Sequence, residues 1–168
     1  RRAGIPVPDT SPVERSFPET LVAGVLAFEL GETSAGDSTR ARIDNPAGCV
    51  IGLPLVTAMR IERIVPTVQK SPGAHACLVA VENLETFYAL ATRGEVTSSR
   101  DSGPLAEAFL YVGGHPNRAV QRLLDRFARS GFKITHAGDL DPEGILILQE
   151  VMDAAGAKVE PLRMDART

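Results

Sequence analysis

The chain of 168 residues contains no tryptophan, and aromatic side chains make up only 5% of it. Its core must therefore be built from valine, leucine, isoleucine and alanine, and an apolar content of 43% suffices for that. Cysteine is almost absent. Cys49 and Cys77 stand far apart with no metal-type or redox spacing around either, which excludes a disulfide framework and predicts two buried, reduced thiols. Positive charge is not in excess: 18 Lys and Arg face 21 Asp and Glu, for a net charge of −3. No basic nucleic-acid-binding tail is present, and this counts mildly against DNA binding. No apolar run approaches the roughly 20 residues of a membrane span, and no secretory signal is visible, so a cytoplasmic location without membrane contact is expected. His75, His115 and His136 lack metal-ligand spacing. No Ser/His/Asp or Cys/His arrangement is recognisable. Tyr88 and Tyr111 fall inside regular elements rather than on a loop that would present a nucleophile. The chain opens on Arg-Arg rather than methionine, so a fragment is expected, with missing parts carrying some of the function.

What is there divides near residue 70. Pro6, Pro8, Pro12 and Pro18 make the first 20 residues an irregular arm. Leu21 to Leu30 reads as one strand, 31 to 39 as a turn, 40 to 43 as its hairpin return, and 45 to 48 as another turn. Leu55 to Ile64 is either a short helix or a strand, and periodicity does not decide between them. From about residue 74 the pattern is regular. Strands are predicted at 76–81, 108–112, 133–137 and 158–162. Helices are predicted at 84–93, 117–131 and 142–156. Asn83 is a candidate N-cap. Val120, Leu123, Leu124, Phe127 and Ala128 recur at helical spacing, Pro142 suits a first helical turn, and Gly131 and Gly156 suit helix ends. Residues 94 to 104 form a polar loop. Alternating strands and helices predict an α/β fold, a mainly parallel sheet flanked by helices through right-handed crossovers, over residues 71–168. Residues 1–70 form an arm and a small β/α appendage.

In such sheets ligands bind beyond the carboxyl ends of the strands. Three segments lie there: Glu82-Asn83, "GGHPNR" (113–118) and "GDLDPEG" (138–144). Parallel strands would bring Glu82, Asp139 and Asp141 together. Clustered carboxylates must protonate or recruit a cation. Magnesium takes hard oxygen ligands, often one or two carboxylates plus phosphate oxygens. The bland alternative for Asp139 and Asp141 is turn and cap chemistry, with Asp141 capping the helix that Pro142 begins. For "GGHPNR", paired glycines let backbone approach a phosphate, and the next helix start offers N–H donors. The alternative is a tight strand-to-helix turn. Arg118, Arg122, Arg126 and Arg129 form a helical stripe that suits either a phosphate backbone or a solvated face. His115 lies in the candidate phosphate loop, whereas His136, inside a strand, reads as a core residue.

"VENLETFYAL", "FLYVGGHPNRAVQRLLDRF" and "ITHAGDLDPEGILIL" together resemble the Toprim domain. They are most similar to the C-terminal Toprim domain of the nuclease subunit of Wadjet-type anti-plasmid systems, itself similar to the A subunit of topoisomerase VI and to the meiotic double-strand-break protein. The closing "VEPLRMDART" also looks like that family's tail. The resemblance spans about residues 74 to 168. It implies a Toprim-like fold and a Mg²⁺- or Mn²⁺-dependent DNA endonuclease. Glu82, Asp139 and Asp141 would be catalytic and metal-binding, and Glu143 an outer metal ligand. Gly113, Gly114, His115 and Arg118 would hold the substrate phosphate. Water would be the nucleophile, because no winged-helix domain bearing a tyrosine is visible. A homodimer and SMC-like defence-complex subunits are the implied partners. The rival expectation is a non-catalytic Toprim-fold module for DNA binding or dimerisation. RNA cleavage or primer synthesis is a third.

Overall fold

The computed structural model describes residues 19–31, 41–46, 48–67, 75–92 and 106–162. The proline-rich arm to residue 18, the turn at 32–39, the polar loop at 94–104 and the tail beyond 162 lie outside the described residues. Nine strands and four helices follow along the described chain. They are β1 (Thr20–Gly24), β2 (Leu26–Leu30), β3 (Arg42–Asn45), β4 (Val50–Leu53), α1 (Leu55–Arg60), β5 (Ile61–Pro66), β6 (Cys77–Val81), α2 (Leu84–Thr92), β7 (Ala108–Tyr111), α3 (Arg118–Arg129), β8 (Lys133–Ala137), α4 (Pro142–Ala155) and β9 (Val159–Pro161).

A six-stranded sheet has the order β4-β1-β7-β6-β8-β9, and a three-stranded antiparallel sheet has the order β3-β2-β5. The larger sheet is parallel across β7, β6, β8 and β9, and antiparallel where β1 meets β7 and β4 meets β1. The fold is thus α/β, with a mostly parallel main sheet flanked by helices. At the centre, β6 buries Leu78 through Val81 almost completely. A strand covered on both faces reads as the continuous apolar run seen in its sequence. On one face Phe87 and Ala91 of α2 pack with Val79, Val81 and Phe109. On the other, Leu123, Leu124 and Phe127 of α3 and Ile147 and Val151 of α4 share a cluster with Leu78, Leu110 and Ile134. The chain steps from β6 to β7 in one direction, then back across β6 to β8. Right-handed crossovers in opposite directions place their helices on opposite faces. The carboxyl ends of β7, β6 and β8 therefore meet at one edge, beside the reversal point.

Among the described residues before 70, β1 and β4 belong to this sheet and complete it. The expected single strand from Leu21 to Leu30 breaks at Val25, and its halves join different sheets. Gly24, at φ +120°, permits the switch, because a Cβ there would lie 2.1 Å from the Glu107 carbonyl oxygen. Leu55 to Ile64 contains both candidate structures in series, α1 and then β5. The hairpin return expected at 40–43 is β3, with Ile43 opposite Phe28. Strand β4 carried no strong sequence signal. The expectation of two buried thiols is corrected: Cys49 is exposed and Cys77 only half-buried.

Candidate functional site

Glu82 follows β6 directly. Its backbone N–H donates to the Ala137 carbonyl oxygen at 2.9 Å, extending the β6–β8 ladder by one bond and fixing the residue over the strand ends. Its side-chain Oε2 accepts from the Asp139 backbone N–H at 3.3 Å. Burial pushes the Glu82 carboxyl above the usual glutamate range. The Asp139 N–H opposes this, and the negative charges of Asp139, Asp141 and Glu143 push it up further. The carboxylates from "VEN" and "GDLDPEG" therefore share one electrostatic environment, although 57 residues separate Glu82 from Asp139.

The Asp139–Glu143 turn is built by its caps and glycines. Asp141, in extended backbone, caps α4, its Oδ1 accepting from the Gly144 N–H at 2.7 Å. Pro142 opens the helix, and Glu143 places negative charge in its first turn. The capping reading of Asp141 is therefore correct, and the capped carboxylate still adds its charge to the field at Glu82. A Cβ on Gly144 would lie 2.0 Å from the Asp139 carbonyl oxygen, so only glycine lets the turn fold this tightly. A Cβ on Gly138 would lie 2.5 Å from Glu82 Oε2 and 2.6 Å from His136 Nε2. His136 is fully buried, as expected of a core residue, yet neither ring nitrogen has a hydrogen-bond partner among the described residues. Burial lowers its pKa, with the Ala80 backbone opposing. The sequence signal for its position is parity, because His136 shares the inward face of β8 with Ile134.

In "GGHPNR", Gly113 and Gly114 take φ values of +73° and +88°, and Asn117 caps α3 by accepting from the Val120 N–H at 3.0 Å. Arg118 is exposed at the first position of α3. His115 is already engaged. Its Nε2 lies 2.6 Å from Glu143 Oε1 and its Nδ1 2.9 Å from Glu150 Oε2. These bonds, that to Glu150 foremost, hold its pKa above the usual histidine range. Glu143 therefore joins the two loops: it bonds His115 and adds its charge to the field at Glu82.

The arginine stripe is split: Arg118 and Arg129 are exposed, whereas Arg122 and Arg126 are partly covered. Arg122 donates to the Met59 and Ile61 carbonyl oxygens at 3.2 and 3.3 Å, tying α3 to the end of α1. Arg129 donates to Asp125 at 2.6 Å, and Arg126 is mostly covered beside the same aspartate. The Tyr111 ring meets that of Phe87 at a tilt of 52°, with centroids 5.9 Å apart, and Tyr88 sits on α2. Among the described residues no three His, Cys, Asp or Glu side chains form a ready-made metal ligand set. The acidic cluster is open, with one Asp141 oxygen committed to the helix cap.

These features define the class: an α/β protein with an open acidic site and a glycine-rich loop at the carboxyl edge of its parallel strands. The chain belongs to the family described as "protein of unknown function C-terminus" (DUF2399), which matches residues 56–168 and so takes in every residue of the site. None of the curated proteins compared matches it.

Proposed function

We propose that this chain is a Toprim-type, metal-dependent DNA endonuclease domain, related to the nuclease subunit of Wadjet anti-plasmid systems and to topoisomerase VI A subunits. The observation that carries the reading is the grouping of Glu82, Asp139, Asp141 and Glu143 in one field, with Glu82 Oε2 on the Asp139 N–H. Their donors are hard oxygens, which suit Mg²⁺ or Mn²⁺. The open arrangement suits an ion that keeps waters and takes phosphate oxygens as its other ligands. Glu82, Asp139 and Asp141 would hold it, with Glu143 outside them. When bound, the ion supplies charge neutralisation for the phosphodiester and a positioned water.

The chain's own groups do the rest. Glu82 would be either a ligand of the ion or, where Asp139 and Asp141 hold it, the group that gives or takes the proton of the attacking or leaving oxygen. Gly113 and Gly114 let backbone approach the phosphate, and exposed Arg118 adds charge at the start of α3. His115 serves mainly to hold the glycine loop against α4, through Glu143 and Glu150. A homodimer would cut both strands, SMC-like subunits would be its partners, and the cytoplasm its location.

Calorimetric titration of Mn²⁺ and Mg²⁺ tests the site. Wild type is expected to bind, and Asp139→Ala to lose the heat. Supercoiled plasmid should be nicked by wild type with Mn²⁺ and left intact by Asp139→Ala. Failure of wild type to bind metal, alone or with DNA present, sinks this reading. A second reading, a non-catalytic DNA-binding or dimerisation module of the same fold, is favoured by the net charge of −3 and by the absence of a preformed ligand set among the described residues. It predicts DNA binding or self-association that Glu82→Gln and Asp139→Ala leave unchanged.

A further inference from the structure

His136 is buried to 0% exposure, and neither ring nitrogen makes a well-formed hydrogen bond among the described residues, although the Ala80 backbone lies close enough to favour a protonated ring. An unsatisfied buried polar side chain is costly, and leucine at this position would fill the core without that cost. The ring is not placed at random. Its Nε2 and Glu82 Oε2 both reach within 2.6 Å of the point where a Cβ of residue 138 would stand. The two atoms are therefore no more than about 5 Å apart. Residue 138 is glycine, so no side chain intervenes. The strands enforce the approach, because Ala80 is the ladder partner of His136 and Val81 that of Ala137, and Glu82 follows at once.

We propose that His136 is a positioning residue for Glu82, its Nε2–H directed at the Glu82 carboxylate from beneath at short range, while the Asp139 N–H holds the same oxygen from the loop. This deepens the nuclease reading and rests on it for its functional consequence. The coupling itself is a property of the folded chain and can be measured without cleavage. Groups that orient a functional carboxylate in this way contribute about 10–100-fold to metal affinity or activity when removed.

The test uses the 168-residue chain with ¹⁵N-labelled histidine. In wild type, His136 is expected to give a protonated Nε2 with a slowly exchanging proton. Glu82→Gln should shift that resonance and leave His75 in place. Glu150→Gln should move His115 instead. An His136 signal unchanged by Glu82→Gln, or one with Nε2 unprotonated, overturns the proposal. The second arm compares His136→Leu with His136→Gln, which keeps a donor at this depth. His136→Leu should keep or raise the unfolding temperature yet lower Mn²⁺-supported nicking about 10–100-fold, and His136→Gln should recover part of it. A folded His136→Leu variant that nicks at the wild-type rate overturns the positioning role. If the NMR coupling is present and wild type never cleaves, the nuclease reading fails while the His136–Glu82 coupling stands.

Discussion

Two glycines, Gly138 in the turn after β8 and Gly144 in the first turn of α4, show how single positions set the site, and they fail differently. A Cβ at 144 would meet the Asp139 backbone carbonyl, which cannot rotate away. Gly144→Ala is expected to lower stability by about 1–3 kcal/mol in urea unfolding, the usual range for overpacking. A Cβ at 138 would meet the far end of the Glu82 side chain and the rim of the His136 ring. Glu82 can swing aside but the buried His136 ring can yield only a little, so Gly138→Ala should cost stability too, though less than the backbone clash of Gly144→Ala. Its calorimetric affinity for Mn²⁺ should fall more than its stability does. Glu82 also sets a pH dependence. Its carboxyl is raised in the fold, so its contribution to stability is complete below the ordinary glutamate pKa of about 4.3 and is lost as pH rises through the folded value. Glu82→Gln mimics the protonated form. Without metal, its melting temperature should match wild type below that pH and exceed it at neutral pH. A neutral-pH melting temperature below that of wild type would contradict the burial and like-charge crowding of this carboxylate.

At the scale of elements, α4 and the loops that precede it and α3 organise the site. Asp141 is both cap and site carboxylate, whereas Asp139 contributes its backbone N–H to Glu82. Asp141→Ala should therefore cost about 0.5–2 kcal/mol through loss of the cap. Asp139→Ala should unfold close to wild type, since its N–H remains. Equal destabilisation by the two would show that the cap carries no special weight. The His115 bridge to Glu143 and Glu150 acts between elements. The histidine pKa is raised, so the bridge is fully formed below the ordinary value of about 6.5 and weakens as pH rises through the folded one. Amide exchange in residues 113–116 should accelerate above that point in wild type. In His115→Ala it should be fast throughout.

At the scale of the whole molecule, the larger sheet crosses the boundary that composition suggests near residue 70. Val22 and Ala23 of β1 are buried against β7, with Ala23 in register with Phe109. A chain starting at residue 71 would lose two strands of its sheet and uncover the β7 edge. It is expected to lack dispersed amide signals, whereas the intact chain should unfold in a single transition by circular dichroism and fluorescence. Phe127 lies at the centre, fully buried and 5.0 Å from the Phe132 ring. Phe127→Ala should cost about 3–5 kcal/mol in the same transition.

The regular half of the fold was legible because each element there carries its own signal. α3 has a 3.6-residue apolar stripe and a closing glycine, α2 has Asn83 ahead of it as a cap, and α4 has Asp-Pro at its start and glycine at its end. The buried parallel strands are short apolar runs between them. Element order then fixed which loops share the carboxyl edge, since right-handed crossovers leave little choice. So the sequence by itself determined the α/β class and the candidate group Glu82, Asp139 and Asp141. Only the tertiary structure decided what depends on pairing and packing. It decided that the Leu21 to Leu30 run is divided between two sheets, because that follows from the close approach of Glu107 to Gly24. It decided that Arg122 holds α1 rather than phosphate, because the Met59 and Ile61 carbonyls come within reach only after β5 packs on α3. And it decided that His136 lies beneath Glu82, because a strand residue's neighbour is chosen by register, which no local pattern encodes.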